Sequence, residues 1–117
     1  MKKLLNSGSL RHRIEIQEPV EVQDSDTGDI TWEWDTVEGC ESVPAEIAPL
    51  SAREFLAASA TQSDVAARIT IRYRAGITAK MRCLHGSKIY NIRGVLADAD
   101  SGLEYLTLPV SEGTNSG

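Results

Sequence analysis

Cysteine, aromatic side chains and basic charge are all scarce in this chain of 117 residues. Its two cysteines, Cys40 and Cys83, have no CxxC spacing, so neither a disulfide framework nor a zinc site is expected. The aromatic residues are two Trp, three Tyr and one Phe, so Ile, Val, Leu and Ala must supply most of the core. No apolar run reaches the ~20 residues of a membrane span or the ~7–15 of a signal-peptide core. These absences predict a soluble protein, made in a cytoplasm and without a membrane partner.

The charge is negative, because 17 acidic residues outnumber 12 basic ones to give a formal net charge of -5. General nucleic-acid binding needs a basic excess that displaces counterions from phosphates, so the balance disfavours it. The charge suits a protein that self-repulsion keeps soluble until it meets a partner. It equally suits a surface past which DNA slides without sticking.

The chain reads as a single domain over residues 1–117, with flexible ends at about 1–8 and 111–117. Both ends are short, polar and glycine-containing, and residues 111–117 have no side chain suited to a core. No linker or repeat divides the middle, and the length is ordinary for one domain. We therefore expect one hydrophobic core.

Alternation of apolar and polar residues dominates the chain and predicts about seven short antiparallel strands. The first alternation centres on Ile14 and Ile16, and the polar segment 24–29 predicts a hairpin connection after it. Trp32 and Trp34 then share one side of a strand, where we expect at least one of them in the core. An exposed Trp there would mark an interface instead. The pattern predicts a mainly β protein, a small β-barrel or sandwich.

One short α-helix is predicted at about residues 51–60. Ser51 and Glu54 form a capping-box pattern, in which each side chain accepts the other residue's backbone N–H. Leu50 and Phe55 stand at the positions of a hydrophobic staple, and alanines then favour the helix. The polar segment 61–64 ends it.

No catalytic, cofactor-binding or metal-binding site is predicted. The turns 24–28 and 98–102 are rich in Asp, but neither has the spacing or the distal Glu of a calcium loop. His12 and His85 lie near no nucleophile motif. We interpret them as partly exposed residues of strands or turns.

Basic residues indicate a possible binding face. Arg68, Arg72 and Arg74 share one side of a predicted strand, and Lys80 and Arg82 share one side of the next. If these two strands pair as a hairpin, they carry a cationic stripe that suits a phosphate backbone or an acidic patch on a neighbouring subunit. The alternative is a solvated sheet face balanced by acidic residues across it.

The order of these segments resembles the phage head–tail adaptor family, also called head closure, stopper or head–tail joining proteins. The similarity covers about residues 8–112, in the segments 8–14, 27–32, 45–55, 68–77, 81–82, 90–92 and 105–108. Pro44 stands where the family often has a tryptophan, and Pro109 where a cysteine is common.

The resemblance implies a non-enzymatic structural protein of a tailed phage virion or prophage. It implies a ring of commonly about twelve copies at the head–tail interface. The partners implied are the portal and connector proteins, the tail tube or tail-completion protein, and packaged DNA that the ring retains. Two alternatives are a tail-completion or tail-terminator ring protein and a small nucleic-acid-binding β-barrel.

The helix region is where such proteins contact neighbours or narrow the channel, and the arginine stripe suits an interface. The resulting candidate interface residues are Arg53, Glu54, Phe55, Thr61, Gln62, Ser63, Asp64, Arg68, Arg72 and Arg74.

Overall fold

Eight strands and one helix make up the computed structural model, which describes residues 10–98 and 100–113. The strands are β1 (His12–Gln23), β2 (Ile30–Thr36), β3 (Val43–Pro49), β4 (Ala67–Arg72), β5 (Arg82–His85), β6 (Lys88–Ile92), β7 (Leu96–Ala97) and β8 (Tyr105–Glu112). The helix α1 (Ala52–Ala60) lies between β3 and β4. In this described part of the chain, no helix is long and apolar enough to cross a membrane.

Six strands close into an antiparallel barrel, because β1 pairs with β3 on one side and with β5 on the other. The order around the barrel is β1, β3, β4, β8, β6, β5. The strands β2 and β7 lie outside this ring, paired with β1 and β8 respectively. In a ring of six, the β4–β8 pair lies across the barrel from the β1–β5 pair. The prediction of a small, mainly β barrel with one short helix is confirmed.

The core fills the barrel with aliphatic side chains, as the scarcity of aromatic residues predicted. Alternation places every second residue of a strand inside, where burial of apolar surface stabilises the fold. Cys83 is fully buried among them, as a small core residue. The largest fully buried side chains are Ile14, Ile16, Ile69, Ile71, Cys83, Ile92, Leu108 and Val110 in strands, and Cys40 in a loop.

The C-terminal strand extends past the predicted boundary of the flexible end. β8 continues to Glu112, and Ser111 is 3% exposed because it pairs with Asn91 of β6 and its hydroxyl accepts a hydrogen bond from Arg93 Nε (3.1 Å). The remaining segments predicted to be flexible, 1–8 and 114–117, lie outside the described residues.

The outer half of β1 leaves the barrel together with β2 as a two-stranded ribbon, which we define as residues 17–36. β1 pairs with barrel strands up to Gln17, and from there to Gln23 it pairs with β2. At about 3.4 Å per residue, six residues beyond Gln17 reach roughly 20 Å from the barrel. The molecule accordingly measures 58 × 33 × 25 Å.

The ribbon and α1 leave the barrel at opposite ends. β1 and β3 are antiparallel, with His12 opposite Ala45 and Ile14 opposite Val43. β1 therefore runs out toward the ribbon at the end where β3 begins, whereas α1 follows the other end of β3. The fold thus carries two projections that point away from each other.

Candidate partner interfaces

Helix α1 presents its side chains to solvent instead of packing them into the core. The predicted capping box is present, since Glu54 N–H donates to Ser51 Oγ (3.2 Å) and Ser51 N–H donates to Glu54 Oε1 (3.1 Å). These hydrogen bonds with Ser51 lower the pKa of the Glu54 carboxyl, and an ion pair joins Glu54 to Arg68 (3.0 Å). No residue of α1 is buried, and Phe55 and Leu56 are 59% and 68% exposed. The helix is stabilised by local contacts and leaves two large apolar side chains uncovered.

The segment 61–64 closes the helix and is itself exposed. The Thr61 hydroxyl donates to the carbonyls of the last helical turn, and Gln62 adopts a left-handed backbone conformation with a φ of 59°. Ser63 Oγ accepts the N–H of Val65 (3.3 Å). Asp64 forms an ion pair with Arg93 (2.6 Å), so its charge is already balanced within the chain.

The arginines predicted to form one stripe with Lys80 and Arg82 are separated by the fold. β4 pairs with β3 and β8, not with β5, so the β4–β5 hairpin on which the stripe was conditional does not form. The physical reason is barrel closure, because β5 instead joins β1 and β6 on the far side of the core. A cationic stripe across two adjacent strands therefore does not form.

Of the three arginines at β4, one has no side-chain partner among the residues that the structure describes. Arg68 is paired with Glu54, and Arg74 donates through Nη1 to the carbonyl of Gly39 (3.0 Å) and to Cys40 Sγ (2.9 Å). Arg72 is exposed and makes no side-chain hydrogen bond or ion pair with the described residues. Arg72 is therefore the arginine of this group that is available to a partner.

Exposed apolar side chains lie on the same side of the sheet as Arg72 and make what we call the arginine–leucine face (Arg72, Leu96 and Leu103), whereas the side chain of Tyr73 points to the other side of its strand. Arg72 is opposite Tyr105 of β8, and Tyr73 N–H donates to the carbonyl of Glu104. Leu96 enters the same region because β7 pairs with β8 at Thr107. Leu96 and Leu103 are 56% and 66% exposed. The face combines an unpaired cation with apolar surface, which is typical of an interface.

A buried carboxylate shapes the loop that carries Leu103. Asp98 is 7% exposed, and its oxygens accept backbone N–H groups from Ser101, Gly102, Glu104 and Tyr105 at 2.8–3.3 Å. Burial raises the pKa of the Asp98 carboxyl, but these hydrogen bonds outweigh burial and lower the pKa well below its ordinary value. The Asp-rich sequence 98–102 is thus a turn, as predicted.

The tryptophans lie on the ribbon and not in the core, which contradicts the expectation that at least one is a core residue. Trp32 is 65% exposed and Trp34 is half-buried. Ile30, on the same side of β2, is 55% exposed. The reason is that β2 pairs only with the outer half of β1, beyond the closed barrel, so no second layer covers this side.

The ribbon is strongly acidic. No Lys or Arg occurs between Arg13 and Arg53, so the ribbon has no basic side chain of its own. The acidic residues of the ribbon are Glu18, Glu21, Asp24, Asp26, Asp29, Glu33 and Asp35. Its tip is a tight turn in which Asp24 Oδ1 accepts the N–H of Asp26 (2.8 Å) and Gly28 adopts a positive φ of 76°. The ribbon therefore presents negative charge beside exposed apolar side chains.

A polar cluster fixes the base of the ribbon to the barrel. Arg82 of β5 lies over the Trp34 ring, 4.2 Å from its centre, and its Nε donates to Gln17 Oε1 (2.9 Å). Gln17 in turn donates to Glu15 Oε2 (3.0 Å), which also accepts the Thr36 hydroxyl. Partial burial lowers the pKa of Arg82, and Glu15 opposes that shift. Arg82 is therefore engaged within the chain.

The two histidines meet at the α1 end of the barrel without any catalytic partner set. The rings of His12 and His85 are in edge-to-face contact, with centroids 4.8 Å apart. A shallow cleft of about 260 Å³ lies beside them, lined by Arg11, His12, Glu46 and Ile47. Among the described residues, no group of three or more His, Cys, Asp or Glu side chains could hold a metal ion.

Sequence reasoning missed the ribbon as a candidate interface, although two signals were present. The alternation that begins at Ile14 continues through Val20 and Val22, which lengthens the first strand past the barrel. The absence of basic residues from 14 to 52 marks the same segment electrostatically. Neither signal shows by itself that this strand pair lacks a covering layer.

Comparison with known proteins identifies one family and several similar structures. The sequence model of the phage head completion protein family matches residues 5–113. The solution structure of protein SF1141 from Shigella flexneri 2a is 29% identical, with a TM-score of 0.72 over 95% of this chain and 99% of that one. A chain from the virion of a native gene transfer agent particle shares the fold, with 22% identity, a TM-score of 0.57, and coverage of 96% and 98%. No curated protein matches the sequence.

Proposed function

The chain belongs to the phage head completion protein family, and we propose that it acts as a ring below the portal and connector, at the head–tail interface. Family membership makes it a head-related structural protein of the virion. In the proposed role, the ring retains the packaged DNA and provides the surface on which the tail docks.

The observation that carries this proposal is the pair of uncovered projections at opposite ends of one closed barrel. A protein that joins two assemblies and also contacts its own copies needs several separate surfaces. The helix α1 leaves Phe55 and Leu56 exposed at one end, and the ribbon leaves Ile30 and Trp32 exposed at the other. Exposed large apolar side chains of this kind mark protein interfaces.

The predicted interface residues around α1 support a docking role for this end of the barrel. Arg53 is exposed and makes no side-chain hydrogen bond or ion pair with the described residues. Together with Phe55 and Leu56, it offers a cation beside apolar surface. Glu54 and Asp64 hold the helix and its following loop in place through their ion pairs with Arg68 and Arg93. We propose that α1 contacts the connector or the tail.

The charge distribution supports retention of DNA by a physical barrier more than by tight binding. The net charge is -5, and the arginines on β4 lie across the barrel from Lys80 and Arg82. Tight binding to a phosphate backbone needs a continuous basic surface. The cationic stripe that supported the nucleic-acid-binding alternative therefore does not form.

Electron microscopy of particles made without this gene tests the proposed function. We expect separate tails beside heads that packaged DNA and then lost it. Joined particles at the normal yield would contradict the proposal. Heads that retain their DNA beside defective tails would instead favour the tail-completion alternative.

Complementation of the deletion tests the role of α1. The double variant Phe55→Ser, Leu56→Ser should fold, because neither side chain is buried, but should restore few joined particles. Ala57→Ser, Ser59→Ala is the matched control, since it changes two other exposed positions of the same helix without removing a large apolar side chain. Equal complementation by the two double variants would show that α1 is not part of the docking surface.

A further inference from the structure

The ribbon has a side that is suited to burial and is not buried. Ile30 and Trp32 are 55% and 65% exposed on one side of β2, and Glu21 lies directly opposite Trp32 on β1. A two-stranded hairpin without a covering layer is marginally stable in water. A surface that covers this side must match an aromatic and aliphatic centre and a surrounding negative charge.

The arginine–leucine face has the complementary properties. Arg72 is exposed and without an ionic partner in the described chain, and the exposed Leu96 shares its side of the sheet because Tyr105, opposite Arg72, and Thr107, opposite Leu96, alternate to the same side of β8. Leu103, two residues before Tyr105, adds a second exposed leucine at this edge. An acidic ribbon carrying Trp32 would neutralise this cation and cover the apolar side chains. Interfaces are commonly built in this way, with an aromatic anchor seated among complementary charges.

The two surfaces lie on opposite sides of the same barrel. The ribbon continues β1 and is tied to β5 through Arg82, whereas the arginine–leucine face lies on β4, β7 and β8. In the order β1, β3, β4, β8, β6, β5, these two strand groups face away from each other. One molecule cannot join its own two surfaces, but successive molecules can.

We propose that the ribbon of one copy binds the arginine–leucine face of the next copy. The contact is heterologous, because each copy offers its ribbon to one neighbour and its arginine–leucine face to the other. Repetition of this contact closes into a ring when the rotation from one copy to the next divides a full turn. This inference rests on the proposed ring and assigns its subunit contact. It leaves α1, at the other end of the barrel, for the connector or the tail.

Site-specific photo-crosslinking in assembled particles tests this contact. A photoreactive benzoylphenylalanine replaces Trp32 in one preparation and Glu33 in the matched control. The two positions are adjacent on β2 but point to opposite sides of the ribbon. After irradiation, we expect position 32 to give a covalent dimer of this chain, with the link mapped by mass spectrometry to residues 68–75 or 96–107. Position 33 should give at least tenfold less of that dimer.

Three outcomes would overturn the inference. They are a position-32 adduct with a different protein, an adduct that maps to the ribbon of a second copy, and no adduct although the chain is present in the particles. The chain's absence from purified tailed particles would contradict the proposed function instead. The two failures are therefore distinguishable in one experiment.

Charge reversal of the acceptor provides a second readout. Arg72→Glu should lower the number of copies per particle at least tenfold when it complements the deletion, and the purified variant should keep its thermal unfolding midpoint. Lys80→Glu makes the same charge change at another exposed position, outside the arginine–leucine face, and should assemble normally. Normal incorporation of Arg72→Glu, or an equal defect in Lys80→Glu, would show that the face is not the acceptor.

Discussion

The guanidinium of Arg82 lies 4.2 Å above the centre of the Trp34 ring and links the barrel to the ribbon. Arg82 belongs to the barrel strand β5, and Trp34 belongs to β2, which among the described strands pairs through its backbone with β1 alone. The contact fixes the direction in which the ribbon leaves the barrel. It also explains why Trp34 is half-buried while Trp32, two residues nearer the tip, is exposed.

Arg82→Ala should loosen the base of the ribbon. The variant loses the cation–π contact and the hydrogen bond to Gln17, which together contribute about 1–2 kcal/mol. Hydrogen exchange should accelerate in residues 18–36 more than in the barrel. Arg72→Ala is the control, because Arg72 has no side-chain partner in the described part of the chain, and its free energy of unfolding should change by less than about 0.5 kcal/mol. Equal exchange in the two variants would contradict the anchoring role.

Ser51→Ala should destabilise α1 locally by about 1 kcal/mol, because it removes the N-cap acceptor of the Glu54 N–H. Since no residue of α1 is buried, the barrel should not unfold with it. Hydrogen exchange of residues 52–60 measures the change directly. Ser59→Ala, at the other end of the helix, should leave exchange unchanged or slow it slightly. A global loss of stability would show that α1 is coupled to the core.

Asp98→Asn should destabilise the protein at neutral pH, with an effect that disappears in acid. The folded state holds the pKa of the Asp98 carboxyl below its unfolded value, so its contribution is present above about pH 4 and is lost as the pH falls further. Urea unfolding at pH 7 and pH 3 should show a difference between wild type and variant that shrinks at pH 3. Asp26→Asn, an exposed position in the ribbon turn, should show little difference at either pH. An equal difference at pH 7 and pH 3 would contradict this role.

Cys83 should resist thiol reagents in the folded protein. Burial, with a smaller effect from Cys40, raises the pKa of Cys83 to about 12, so almost no reactive thiolate forms at pH 8. Mass spectrometry after iodoacetamide treatment should show no label on Cys83 until the protein is denatured. An exposed cysteine introduced by Ser59→Cys should react within the same period. Rapid labelling of native Cys83 would mean that the barrel opens readily.

The same substitution should have very different effects in the barrel and in the ribbon. Ile69→Ala removes a fully buried side chain and should lower the free energy of unfolding by about 2–5 kcal/mol. Ile30→Ala removes a side chain that is 55% exposed and should change it by less than about 0.5 kcal/mol. Chemical denaturation measures both. A large effect at Ile30 would show that the ribbon packs against the barrel in solution.

Local signals in the sequence were sufficient for most of the elements. The helix was predictable because the capping box of Ser51 and Glu54 uses only neighbouring residues, and the structure contains both hydrogen bonds. The strands were predictable because alternation reports which residues face the core, as at Ile69 and Ile71. The candidate interface was harder to predict, since an arginine's availability depends on its partners. Arg72 is unpaired within the described part of the chain, but Arg68 and Arg74 are paired there.

The pairing of strands that are distant in the sequence could not be predicted from local patterns. The hairpin expected between β4 and β5 followed from their adjacency in sequence, but closure of the barrel places β8 beside β4 and β1 beside β5. The same closure excludes β2 from the core, and that is why Trp32 is exposed despite its strand alternation.

The sequence by itself determined the elements, the aliphatic core and the acidic stretch from 14 to 52, because propensity, alternation and charge are properties of neighbouring residues. The tertiary structure alone decided where those elements meet. It placed α1 and the ribbon at opposite ends, and the ribbon and the arginine–leucine face on opposite sides. These relationships arise from barrel closure, which depends on contacts between residues far apart in the chain.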